Sequence, residues 1–393
     1  MRNFEYHIPT KIAFGKGQIE KLPAYVKEFG TRALLVYGGG SIHKNGIYDA
    51  AVRLLDDAGI FHVELSGVEP NPQVETVRRG VALCKEQNID VLLPIGGGST
   101  IDAAKAIAVG AYYAGDVWEI VKDNTLITDA LPIVSVLTVA ATGSEMDDSA
   151  VISNAQTDEK AEINDARLYP RASILDPTYT FTVPKYHTAA GVADIMSHVF
   201  EYYFTGIPVA DIQTGMMESI LKACVKYGPI AIDDPENEEA RANLMWAASW
   251  AINGFLSCGN ESTWPCHAME YQLTIRYQLT HGHGMAIIEN AWMRHRLNED
   301  TLPMFVRYGE QVFGINRSLS DWEIARQAIE KTEALYESMG LSLAMESIGA
   351  TDPKEAAQMA KDCAMQNDLD YGPLALSEED IEKIYRYSFE FED

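Results

Sequence analysis

Cysteine is scarce and carries no pattern. Cys84, Cys224, Cys258, Cys266 and Cys363 are scattered, odd in number and contain no CxxC. That excludes a disulfide framework and a thiolate zinc site, and it fits the reduced thiols of a cytoplasm. No apolar run reaches the roughly 18 residues a spanning helix needs, so a membrane partner is not expected. The first residues, MRNFEYHIPTKIAFGKG, lack both an apolar stretch and a small-residue cleavage site, so no signal peptide is expected. Positive charge is also short. Lysine and arginine number 31 against 57 aspartates and glutamates, a formal net charge of −26. A surface of that sign repels phosphate polymers and excludes a nucleic-acid partner, while saying nothing about substrate. Internal repeats and low-complexity linkers are missing too.

What remains is a long, core-rich chain. Its 393 residues, 47% of them apolar, exceed the size at which one core usually stops growing, so two domains are expected. Short apolar runs alternate with helical patterns in the first half. Ala33–Tyr37, Phe61–Leu65, Asp90–Ile95 and Leu131–Leu137 read as strands, and Val74–Glu86 and Ile101–Val109 as helices. Glycines at the strand ends imply a parallel, doubly wound sheet. Beyond Pro184, runs of β-branched residues almost vanish and helical windows take over, at Ala189–Phe204, Ala240–Leu256, Trp322–Met339 and Glu378–Tyr387. The fold class expected is an α/β, Rossmann-like parallel-sheet domain over 1–183 and an all-α domain over 184–393.

The loop after Ile95 runs Gly96-Gly97-Gly98-Ser99 directly into a helix. Glycines let a backbone approach a diphosphate closely, and a helix N-terminus presents free N–H groups to it. Asp102 and Lys105, one turn apart, either pair or touch the ligand. The run Gly38-Gly39-Gly40-Ser41 repeats the pattern after an earlier strand, and Thr142-Gly143-Ser144-Glu145 follows a third. Three such loops at strand C-termini form a ligand crevice in an open α/β sheet, which points to a nucleotide.

Asp194 and His198 are four residues apart in a helical pattern, so they share one face and can share an ion. His267 lies in a second helical stretch. His281 follows in Thr280-His281-Gly282-His283, at a helix end, and His283 competes with it; spacing alone does not choose between them. One carboxylate and three imidazoles suit ferrous iron or zinc. His43 and His187 have no carboxylate at ligand spacing.

These residues add up to a resemblance. GGGSxxDxAK at Gly96–Lys105, Thr142–Glu145, and the series Asp176-Pro177, Pro184, Gly191, Asp194, His198, Glu201, His267, His281-Gly282 resemble the iron-containing (group III) alcohol dehydrogenases. Within them the chain looks closest to NADP-dependent butanol dehydrogenases and broad-range aldehyde reductases. The resemblance implies a dehydroquinate synthase-like fold, a homodimer, and metal ligands at Asp194, His198, His267 and His281. It settles the choice against His283, because the family ligand precedes a glycine. It carries cofactor contacts onto Gly38–Ser41 (Gly38, Gly39, Gly40, Ser41), Asn71, Gly96–Ser99 (Gly96, Gly97, Gly98, Ser99), Thr138, Thr142 and Lys160, and Asp102 joins this cofactor-binding set from its place on the helix after the glycines.

Two positions depart from the family pattern. Tyr271 stands where many members carry a histidine assigned to proton relay, and Ile275 replaces a usually small residue. Tyr271 and His283 are then the candidate relays, beside His267 in the catalytic set. The reaction implied is hydride transfer between a nicotinamide and a short-chain alcohol or aldehyde such as butanol or butanal. Relatives specific for NAD place an acidic residue after the first strand; Gly38–Ser41 has none, and Ser41 and Lys44 are at hand for a 2′-phosphate, so NADP(H) is expected over NAD(H). Three other readings compete: a glycerol-type polyol dehydrogenase, a dehydroquinate-synthase-like lyase, and a non-catalytic nucleotide-binding scaffold. The segment Trp264–Tyr271 is too poor in lysine and arginine for the lyase's anionic substrate.

Overall fold

The computed structural model of the protein describes residues 2–205 and 210–390. Its strands are β1 (Lys11–Phe14), β2 (Arg32–Val36), β3 (Phe61–Leu65), β4 (Val91–Gly96), β5 (Val134–Leu137), β6 (Ser149–Asn154), β7 (Glu159–Asn164) and β8 (Ala172–Leu175). Six of them form one parallel sheet in the order β1-β8-β5-β4-β2-β3. The expected fold class is the one observed. Successive residues of a strand feed opposite faces: Leu34, Val36 and Leu92 enter one apolar cluster with Ile107, while Leu35, Leu93 and Val134 enter another with Leu55. Helices cover both faces, which is why these strands read as continuous apolar runs.

The chain runs from β2 outward to β3, then crosses to the other side of β2 for β4. Strand order therefore reverses between β2 and β4, and the loops Gly38–Ser41 and Gly96–Ser99 both leave the C-terminal ends of these strands. That is where open α/β sheets bind ligands.

The structure differs from the sequence reading at several places. β1 and β8 have only four residues each and give no measurable alternation. The antiparallel hairpin β6–β7 was not expected; both strands are short, and β7 is half-exposed and rich in charge. The helix expected over Ile101–Val109 begins earlier, spanning Gly98–Gly110, inside the glycine run itself.

The residues group into two compact units. One consists of His7–Val183 with Glu236–Asn253; the other of the first residues to Tyr6, Pro184–Pro235 and the chain from Gly254. The helix Glu238–Ile252 thus leaves the helical part to which 184–393 assigned it and packs with the sheet. Met245 closes a buried cluster with Ile101, Leu137 and Leu175, and the Ser249 hydroxyl donates to the buried Glu145 carboxylate. Conversely, the Arg2 N–H donates to the Gly259 carbonyl (3.2 Å) and Tyr6 packs edge-on to Phe255. No strand occurs among the described residues from Pro184 onward.

Candidate active site

In the helical unit, the helix Lys185–Tyr203 is buried at all but one position from Thr188 to Tyr203. Pro184 precedes it, and most of its buried positions are small or apolar. Polar groups on such a helix need a partner. Asp194 and His198 sit one turn apart there, 2% and 3% exposed, with His198 Nε2 3.7 Å from Asp194 Oδ1.

His267 is the third residue of the helix Pro265–Tyr277, whose first position is a proline. Trp264, before it, adopts a left-handed backbone (φ 53°), a costly conformation for a large side chain. It lays its ring 4.8 Å from His267 and 5.9 Å from His198. Nothing in the sequence signals that role.

His281 opens the helix His281–Arg296. Its Nε2 lies 3.6 Å from the same Asp194 Oδ1. Gly282 makes the approach possible, because a Cβ there would overlap the Ala190 carbonyl oxygen. A Cβ at Gly284 would lie 2.6 Å from Glu270 Oε1. The two glycines are thus the faces on which this helix end docks.

Ligand atoms of Asp194, His267 and His281 all lie within 4.8 Å of one another. His198 falls outside that group of three but borders it, its ring stacked on His267 at 5.1 Å. Behind the imidazoles stand buried carboxylates. His267 Nδ1 is 2.9 Å from Glu201 Oε1, which also accepts the His267 backbone N–H (3.0 Å). His281 Nδ1 pairs with Glu270 Oε2, and Thr274 donates to Oε1 of the same group. A carboxylate on Nδ1 fixes the tautomer and turns Nε2 toward the shared space. Burial pushes Glu201 up to about 8, opposed by the backbone N–H groups of His267 and Cys266. Burial also holds His198 below its ordinary value, keeping the neutral, ligating imidazole. The neighbouring Cys266 thiol is driven well above its usual range by burial and stays protonated.

The fit to a divalent cation rests on what these groups leave open. Asp194 Oδ1 and His198 Nδ1 are buried without a hydrogen-bond partner. A carboxylate oxygen facing only imidazole nitrogens is costly unless a cation stands among them. One oxygen and up to three neutral nitrogens form a donor set of the right chemistry for iron(II) or zinc.

His283 is held elsewhere. Its Nε2 is 2.7 Å from the Ser342 carbonyl oxygen, which can only accept, so Nδ1 receives the Tyr186 hydroxyl at 3.1 Å. Tyr271 stands beside the cluster, its ring 6.3 Å from that of His281. Glu270 and Glu201 complete the site, yet Glu270 carries no sequence signal; its role arises from a contact eleven residues away.

In the sheet unit, a Cβ on Gly98 would lie 2.5 Å from Thr142 Cγ2, so the glycine brings the third loop against the helix start. The Thr138 N–H donates to the Gly96 carbonyl (2.9 Å). Gly39 has open space around it, whereas Gly40 adopts φ +92°. Asn71 is left-handed as well (φ 56°), and Lys160 sits on β7 opposite Ser153. Asp102 is engaged within the protein: Oδ1 accepts the Ser144 hydroxyl (2.6 Å) and Oδ2 the Val151 N–H (3.0 Å).

A parallel sheet with glycine loops at its switch point, in a chain that also carries a helical unit with a histidine–carboxylate cluster, defines a class: two-unit α/β proteins with a nucleotide-type crevice and a candidate metal centre. The comparisons narrow it. The sequence matches the profile "Iron-containing alcohol dehydrogenase" over residues 9–177 and "Fe-containing alcohol dehydrogenase family, C-terminal" over 188–389, and the chain belongs to that family. It is similar to NADH-dependent butanol dehydrogenase A of Clostridium acetobutylicum, 50% identical over 99% of this chain and 100% of that one. It is 37% identical to the NADPH-dependent aldehyde reductase YqhD of Escherichia coli, over 89% of this chain and 90% of that one. The crystal structure of NADH-dependent butanol dehydrogenase A from Thermotoga maritima superposes with a TM-score of 0.94 at 36% identity, covering 99% of both chains.

Proposed function

We propose that the protein is a metal-dependent alcohol dehydrogenase and aldehyde reductase, moving hydride between NADP(H) and a short-chain alcohol or aldehyde of the butanol/butanal kind. The observation that carries this reading is the convergence of Asp194, His267 and His281 on one buried space, with His198 at its edge. These four would hold the ion. When bound, a divalent cation supplies Lewis acidity to a carbonyl oxygen and the nicotinamide supplies the hydride.

The chain's own residues do the rest. Glu201 and Glu270 orient His267 and His281 through Nδ1. Trp264, packed on two of the imidazoles, keeps water from that side of the cluster. The proton for the product oxygen passes through the Tyr271 hydroxyl. His283, with Nδ1 and Nε2 engaged by Tyr186 and Ser342, joins a relay only through Tyr186. Gly38–Ser41 and Gly96–Ser99 take the dinucleotide, with Asn71, Thr138, Thr142 and Lys160 around it, and Asp102 supports that loop from behind.

The carboxylate-free loop Gly38–Ser41 supports NADP(H) over NAD(H). Relatives divide on this point, an NADH-dependent enzyme at 50% identity and an NADPH-dependent one at 37%. A cytoplasmic homodimer is part of the same proposal; all five cysteines are free and buried, and no helix among the described residues is long and apolar enough to cross a membrane. Family membership removes the lyase reading. The experiment is metal reconstitution of the metal-free protein with iron(II) or zinc, followed by NADPH oxidation over a panel of aldehydes. Metal-independent turnover, or none with any aldehyde, would overturn the proposal.

A further inference from the structure

The helix Gly98–Gly110 carries along one side three successive attachments to the segment that follows β5. Gly98 touches Thr142. One turn on, Asp102 holds the Ser144 hydroxyl and the Val151 N–H. A further turn on, Lys105 Nζ pairs with the Asp147 carboxylate and donates to the Ser149 carbonyl (2.8 Å), while Asp147 accepts the Ser149 N–H (3.0 Å). Lys105 is fully buried, the one lysine so placed among the described residues.

A buried ammonium is expensive, and replacing such a pair with apolar groups is often neutral or stabilising. Stability alone therefore gives no reason for it. Its position does. Ser149 starts β6, and β6 makes two further connections. It pairs with β7, placing Ser153 opposite Lys160. The Ser153 N–H also donates to the Pro72 carbonyl (2.9 Å), which secures the turn bearing Asn71. Lys105 thus pins the start of the strand that connects Asn71 and Lys160 to the helix whose N-terminus is the Gly96–Ser99 loop.

We propose that the Lys105–Asp147 pair is a positioning device for the dinucleotide, fixing the β6–β7 hairpin and the Asn71 turn relative to the glycine loop so that their groups meet one bound cofactor. Neither residue touches the cofactor; both act through Ser149 and β6. The inference rests on the dinucleotide reading of these loops given above. The ion pair does this better than an apolar contact because its hydrogen bonds have direction: Nζ and the carboxylate bracket one residue, Ser149, through both its N–H and its C=O.

The test uses the metal-loaded protein and NADPH, with NADH alongside. Lys105→Met alone leaves Asp147 buried without its cation and risks unfolding, so the informative variant is the double substitution Lys105→Met/Asp147→Leu. It should keep its thermal transition and its metal content. Its Kd for NADPH, read by quenching of protein fluorescence, should rise about tenfold or more, with kcat at saturating cofactor within about twofold of wild type. An unchanged Kd in the folded double variant, or a loss of kcat with Kd intact, would overturn the inference.

Should the double variant not fold, hydrogen exchange on the wild type decides. Adding NADPH should slow exchange across β6, β7 and the helix Gly98–Gly110 together. Protection confined to the glycine loops would overturn the inference. Failure of the wild type to bind either dinucleotide would remove the functional reading itself, a result distinct from all of these.

Discussion

Gly282 and Ala190 stand so close that a Cβ on the glycine would overlap the Ala190 carbonyl oxygen and lie 3.2 Å from the Cβ of Asp194. This contact brings the start of the helix His281–Arg296 onto the helix carrying Asp194 and His198, and so sets the distance between His281 and Asp194. Gly282→Ala must separate the two helices. Overpacking of this kind costs about 1–3 kcal/mol, but the sharper effect falls on the cluster. The expected result is a folded protein with a lowered thermal transition and bound metal reduced well below one equivalent. Full metal occupancy by elemental analysis would show that the contact does not set the site.

His281 and His283 should separate cleanly. His281→Ala removes a nitrogen facing Asp194 and leaves Glu270 without its imidazole, so bound metal and turnover should fall together. His283→Ala breaks the links to Tyr186 and Ser342 and should leave bound metal in place. Metal content and aldehyde reduction are measured on both variants; the reverse pattern would exchange their roles. His267→Ala belongs with His281→Ala, and retention of metal in it would remove His267 from the ligand set.

The carboxylates behind the imidazoles give a graded test. Glu270→Gln keeps the shape but weakens the acceptor at His281 Nδ1. Losing such a partner typically costs about 10- to 100-fold in metal affinity or activity. Competition with a chelator of known affinity reads this directly, and wild-type affinity in Glu270→Gln would mean that His281 is oriented by packing alone.

How much of this was legible beforehand depends on range. Glycine runs at strand ends and the four-residue spacing of Asp194 and His198 are local, and local patterns survive folding. The role of Glu270 is made by its meeting with His281, and that of Gly282 by its meeting with Ala190; neither pairing leaves a trace in a single sequence. The helix Glu238–Ile252 was recognised as a helix, but its place with the sheet depends on Met245 and Ser249 finding Ile101 and Glu145 more than a hundred residues away. The burial of Lys105 was hidden for the same reason, since a lysine in a glycine-rich motif reads equally well as a ligand contact.

Glu145 offers a pH test in the sheet unit. Burial raises its pKa above the usual 4.5, with the Ser249 hydroxyl opposing the shift. A carboxyl whose folded value exceeds its unfolded one binds its proton more tightly when folded. Its contribution to stability is complete below about pH 4.5 and is lost as pH rises through the folded value. Glu145→Gln, close in shape and never ionised, should therefore flatten the decline of the thermal transition above pH 4.5. An unchanged pH profile in the variant would show that Glu145 ionises in the folded protein as it does in the unfolded chain.

Cofactor choice turns on a single phosphate. NADP(H) differs from NAD(H) by a 2′-phosphate carrying close to two negative charges near neutral pH, and a carboxylate within hydrogen-bond reach favours the hydroxyl and repels the phosphate. The loop Gly38–Ser41 has no carboxylate, so wild-type kcat/KM should be higher with NADPH than with NADH for the same aldehyde. The loop also shows where an acid can be introduced. Gly40 is unsuitable, because φ +92° strains any side chain placed there. Gly38 has the Val68 carbonyl oxygen 3.2 Å from its would-be Cβ, whereas Gly39 has nothing within 4 Å and an ordinary φ. Gly39→Asp should harm NADPH use more than NADH use and shift the ratio about tenfold, since about 1.4 kcal/mol suffices for that change. Gly39→Asn separates charge from bulk, and should leave the ratio near wild type. The protein's charge of −26 opposes the more highly charged NADP(H) more than NAD(H), so the three proteins are compared at one ionic strength high enough to screen it. Steady-state kinetics with both cofactors on the three proteins decide the matter. A wild-type preference for NADH would mean that the 2′-position is read by groups outside Gly38–Ser41, and equal effects of Gly39→Asp on both cofactors would place the ribose away from this loop.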